Sequence, residues 1–86
     1  MNLLRNIFSR REDQFSLKNF DNEQERLQKR YYSYLDENNK AHAMVILGLL
    51  IDLVEEYIPY LKKDESYLLD KQKGYQDNYD CIKKRM

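Results

Sequence analysis

The chain has 86 residues, fifteen Lys/Arg against fifteen Asp/Glu, one histidine and one cysteine, which allows a single small domain and no more. Cys81 alone excludes an internal disulfide framework and fits a reducing compartment; with no apolar leader in MNLLRNIF, the expectation is a cytoplasmic protein. Net charge is zero but unevenly laid out: residues 1–11 carry three arginines and no acid, KKR at 83–85 adds three more positive charges, and the body between them sums to −6, which disfavours a phosphate backbone as its ligand.

In chain order, MNLLRNIFSRR places Leu3, Leu4, Ile7 and Phe8 at helical spacing beside Arg5, Arg10 and Arg11. About two turns of basic amphipathic helix follow from that spacing, which need a surface to lie on, either the domain's own core or an anionic membrane. Through Leu3, Leu4, Ser9, Arg10 and Arg11 the opening resembles the membrane-targeting start of MinE-type cell-division regulators. The resemblance covers roughly eleven residues, needs a one-residue gap, and implies weak, reversible membrane contact through Leu3, Leu4, Ile7, Phe8, Arg10 and Arg11. The strand-forming segments of that family have no counterpart later in this chain. Next, EDQFSLKNF has no sustained period and reads as an irregular arm to residue 20 whose Phe15, Leu17 and Phe20 plug into a core.

A helix is expected over about 21–37, capped by Asp21 or Asn22 with Gln24 or Glu25 closing a capping box. Its apolar stripe is Leu27, Tyr31, Tyr34 and Leu35, and Glu25 with Lys29 forms an i, i+4 pair. DENN then turns the chain, and Asn39 caps a second helix over about 40–58, giving an antiparallel hairpin. From Ala43 to Ile51 that second helix has no polar side chain. Nine residues rise about 13.5 Å, against roughly 30 Å of membrane hydrocarbon, so the run is a buried helix and not a span. Asp52, Glu55, Glu56 and Gly48 share one wedge of about 100°, leaving about 220° apolar.

Pro59 ends or kinks this helix. Beyond it Leu61, Leu68, Tyr75 and Ile82 recur every seven residues, with Tyr60, Tyr67 and Tyr79 alongside, as the seam of a C-terminal helix expected to break near Gly74, the alternative being a glycine tolerated mid-helix at about 1 kcal/mol. The expected fold is therefore all-α: one domain over 1–86, a small bundle built on the hairpin plus a broken C-terminal helix, preceded by an N-terminal amphipathic arm over 1–20. A helix apolar over 220° exceeds what one narrow stripe and a broken helix can cover. The excess must be covered by residues 1–20, by another protein or by a second copy, and the expectation is self-association as a homodimer through Met44, Leu47, Leu50, Ile51 and Val54.

Chemistry-bearing residues are sparse. His42 lacks a second ligand one turn away and is expected as a partly buried, hydrogen-bonded side chain. Asp52, Glu55 and Glu56 could hold a divalent cation only with carboxylates from another helix, and read as a solvated face. Cys81, beside Lys83 and Lys84, reads as a half-buried apolar residue. No catalytic group, metal or cofactor is expected. Tyrosine is the unusual residue, eight in all, and Tyr31, Tyr32 and Tyr34 lie near Arg26, Lys29 and Arg30. Such interleaving suits a protein interface or single-stranded nucleic acid; the acidic body favours the interface. The expectation is a non-enzymatic adaptor or inhibitor, of the kind found in bacteria and phages. It would contact an unidentified protein through Arg26, Lys29, Arg30 and Tyr32; peripheral membrane attachment and single-stranded nucleic-acid binding are the alternatives.

Overall fold

The computed structural model describes residues 15–85, and these form three α-helices joined by one tight turn and two 3₁₀ turns, with no strand among the described residues. Helix α1 is Leu17–Asp36, α2 is Lys40–Tyr57 and α3 is Glu65–Arg85, with the 3₁₀ turns at Ile58–Tyr60 and Lys62–Asp64. The chain is thus a small all-α bundle. Residues 1–14, and with them the expected amphipathic helix and the membrane-contact set Leu3, Leu4, Ile7, Phe8, Arg10 and Arg11, lie outside the described residues.

Helix α1 begins earlier than its sequence suggests. Ser16 is the N-cap, its hydroxyl accepting from the Asn19 amide at 3.1 Å, so neither Asp21 nor Asn22 caps the helix and residues 17–20 are not an irregular strip. The earlier start puts Phe20 fully inside, on the same face as Gln24 and Tyr31. At the far end Asn38 takes a left-handed φ of 60°. The Asn39 amide then donates to the Tyr34 carbonyl at 2.8 Å and the Asn38 amide to the Leu35 carbonyl at 2.9 Å. These two bonds make a Schellman closure, which asparagine tolerates better than a branched residue. Asn39 next caps α2 by accepting from the His42 amide at 3.2 Å.

Helix α2 lies between α1 and α3 and is the centre of the core. Ala43, Ile46, Leu47, Leu50, Val54 and Tyr57 are buried on one side, meeting Phe20 and Tyr31 from α1 and Leu68 and Tyr75 from α3. Complete burial of Leu47, Leu50, Leu68 or Val54 contributes roughly 1.5–3 kcal/mol each. The end of the bundle where α1 starts and α2 finishes is aromatic. Phe15 stacks on Tyr60 at 3.9 Å and meets Tyr57 edge-on at 4.8 Å, while Phe20 meets Tyr57 at 5.4 Å and Tyr67 at 6.5 Å. Pro59 sits inside the first 3₁₀ turn, where the amide it lacks is not needed.

Two expectations change here. The C-terminal helix is not broken: α3 continues through Gly74, which has neither a positive φ nor a neighbour within 4 Å of its missing side chain. A glycine stops a helix by turning left-handed, and this one stays helical. Second, α2 has two full partners because α3 is continuous. Leu47, Leu50 and Val54 are consequently buried within one chain, and Ile51 and Met44 are half-buried at its edge. The first three cannot serve as an association surface without unfolding; the large apolar side chains that α2 leaves outside are Val45 and Leu49.

Candidate functional site

The α1–α2 hairpin carries a shallow open groove of about 200 Å³, lined by Glu23, Arg26, Leu27 and Arg30 from α1 and Leu53 from α2. Antiparallel pairing produces it. Leu27 lies across from Leu53, much as Glu23 does from Tyr57. Both leucines are half-buried and form an apolar floor. Arg26 and Arg30 stand one turn apart beside them, and among the described residues neither has a carboxylate within ion-pair distance. Glu23 is engaged by the Tyr57 hydroxyl, which donates to its carboxylate at 2.7 Å. Burial first, then this carboxylate, holds the Tyr57 phenol well above its ordinary range. At the upper end of the hairpin Arg26 also faces Asn19, Asn22 and Tyr57.

The expected contact set is divided by the helix. Arg26 and Arg30 point to the groove, whereas Lys29 is exposed and sits 3.7 Å from Glu25, an i, i+4 pair of small energetic weight. Tyr32 is 59% exposed on yet another side of α1, tilted against Tyr31 at 5.2 Å. The three tyrosines near the basic residues do not share one open face either: Tyr31 is buried and Tyr34 half-buried, with its ring 5.1 Å from that of His42. Arg26 and Arg30 were expected only as members of a contact set with Lys29 and Tyr32, not as a pair of their own. Their apolar floor was not legible, because Leu53 joins it only across the turn.

Between α1 and α3 runs a polar seam that the sequence pattern did not reveal. Gln24 is buried, its side-chain oxygen accepting from the Tyr75 hydroxyl, and the Gln28 amide donates to the same hydroxyl oxygen at 3.0 Å. One turn earlier the Tyr67 hydroxyl donates to Asp21 at 3.1 Å. Tyr75 is pushed up to about 12, chiefly by burial, and burial raises Tyr31 and Tyr67 as well. No buried side-chain polar atom among the described residues lacks a partner. The available signal was Gln24 itself, which falls on the Phe20–Leu27–Tyr31 stripe where a polar side chain needs a partner.

Other chemistry-bearing residues stand apart. His42 is exposed rather than partly buried, with Nδ1 2.9 Å from the Asn39 side-chain oxygen that also caps α2. Cys81 is exposed, not half-buried, because it lies on the side of α3 away from Leu68 and Tyr75. Asp52, Glu55 and Glu56 point outward, and no cluster of three metal-ligating side chains occurs among the described residues. No described helix is long and apolar enough to cross a membrane. Comparison with protein-family models, with curated proteins and with solved structures finds no match to this chain.

Proposed function

We propose that the chain is a non-enzymatic interaction protein, adaptor or inhibitor in type, that holds an acidic–apolar segment of a partner protein against the α1–α2 groove. One observation carries this reading: the Leu27–Leu53 floor is flanked by Arg26 and Arg30, two guanidinium groups without a carboxylate partner among the described residues. A guanidinium presents a planar fork of donors matched to a carboxylate, and two of them one turn apart match acidic side chains one turn apart on a ligand helix. The groove's size supports the same reading. About 200 Å³ is below the range of small-molecule pockets and suits one or two side chains of a docked segment. The net negative body gives little long-range attraction for such a ligand, so recognition is local and sensitive to salt.

The test is an amide-shift titration of the full chain with a helical peptide carrying Glu at i and i+4 beside Leu and Phe. A Lys-for-Glu peptide of the same length serves as comparison. The expected shifts centre on Glu23, Arg26, Leu27, Arg30 and Leu53, and the double substitution Arg26→Glu with Arg30→Glu removes them. Equal response to both peptides, or shifts centred elsewhere, would overturn the reading.

A further inference from the structure

Helix α2 keeps one side turned away from both neighbours. Ala41, Val45, Gly48 and Asp52 form its outermost line, opposite the buried Leu47, Leu50 and Val54, with Leu49 at the border. Val45 is 60% exposed and Leu49 44%. Gly48 lies between them with nothing within 4 Å of where a side chain would begin, so no neighbour within the described chain demands a glycine, which weakens a helix interior. The charges on α2 also oppose its own dipole. Its first turn has Lys40 and no acid, while its last turns carry Asp52, Glu55 and Glu56 and no base. Helix α3 reinforces the pattern, because Lys83, Lys84 and Arg85 fill its last turn, at the end of the bundle where α2 begins.

Within one chain this arrangement is unfavourable. Against a second α2 laid antiparallel it becomes favourable twice over. Each acidic C-terminal half then lies along the other's N-terminal half, next to its Lys40 and its positive helix end. We infer that two copies of this chain pair antiparallel through the outer face of α2, about a two-fold axis at Gly48. Val45 and Leu49 of each copy pack beside the bare backbone at Gly48 of the other, and Lys40 of each reaches Glu55 and Glu56 of the other. The face is separate from the buried Leu47, Leu50 and Val54, and the pairing does not depend on the groove beside Arg26 and Arg30. One helix face covers less than the roughly 800 Å² per partner of a standard interface, so the pairing is weak and weakens further with salt.

Sedimentation equilibrium of the full chain at low salt, from about 10 µM to about 1 mM, tests the pairing. The average mass rises from 10.6 kDa toward twice that value. Val45→Glu and Leu49→Glu each weaken association at least about tenfold while leaving helix content unchanged, and Val45→Glu, at the more exposed of the two positions, leaves melting unchanged as well. Lys40→Glu relieves the dipole conflict, so it stabilises the single chain yet weakens pairing; adding Glu56→Lys to it restores pairing. A chain that stays monomeric throughout sinks the inference. So does a dimer that persists in Val45→Glu and Leu49→Glu, since its contact then lies on another face.

Discussion

The Tyr75 hydroxyl joins α3 to α1 twice, donating to buried Gln24 and accepting from Gln28. Tyr75→Phe leaves the Gln24 oxygen buried without its donor, and is expected to cost about 1–3 kcal/mol in a urea melt. Replacing both partners, as Gln24→Leu with Tyr75→Phe, recovers much of that loss, because neither side then keeps an unpaired polar atom. The same group sets an alkaline limit. Its folded value of about 12 exceeds the unfolded 10.0, so between those values the native state holds a proton that the unfolded chain has released. The associated stability is fully present below pH 10 and is lost as pH rises toward about 12. Tyr31, Tyr57 and Tyr67 are raised too and act in the same direction. Thermal melts across this window show a falling midpoint in the wild type, and a shallower fall in Tyr75→Phe.

At the scale of the element, the decisive features are the cap at Ser16 and the continuity of α3. Ser16→Ala removes the hydroxyl that accepts from Asn19, and costs about 1 kcal/mol. Gly74→Ala has the opposite sign. Gly74 is exposed, helical and open around its missing side chain, so alanine gains about 0.5–1 kcal/mol, or several degrees of melting temperature for a chain of this size. If Gly74→Ala lowered the melting point, the residue would be needed for a conformation or contact that the continuous helix does not contain. Element boundaries were only partly legible for the same physical reason. The turn over Glu37–Asn39 follows from asparagine's tolerance of a left-handed φ, a local property. Whether Gly74 halts α3 depends on what α2 offers it to pack against, which no local property encodes.

At the scale of the whole molecule, α2 is covered from two sides, and position in the bundle decides what each apolar residue is worth. Leu50→Ala is expected to cost about 2–5 kcal/mol, a large share of a small domain's stability, because Leu50 is fully buried. Leu49→Ala, one residue earlier and 44% exposed, changes a dilute-solution melt by no more than about 1 kcal/mol. Similar losses at both sites would mean that the outer face of α2 is already covered in dilute solution. On the candidate site, Arg26, Lys29, Arg30 and Tyr32 looked like one set only because they are close in the chain, and the structure keeps Arg26 and Arg30 together at the groove while Lys29 and Tyr32 face elsewhere. A helix turns about 100° per residue, so closeness along the chain and sharing of a face are different things.

The sequence alone determined that the chain is helical, that α1 and α2 form a hairpin through Asn38 and Asn39, and that the run from Ala43 to Ile51 belongs to a central helix. Each of those rests on spacing and turn chemistry within a few residues. Tertiary structure alone decided that α3 runs unbroken, that Leu47, Leu50 and Val54 belong to the chain's own core, and that Gln24 and Tyr75 meet inside it. It also decided which leucines lie under Arg26 and Arg30. Those outcomes join residues on different helices, and their energies arise from water excluded between helices, which periodicity along any one helix cannot specify.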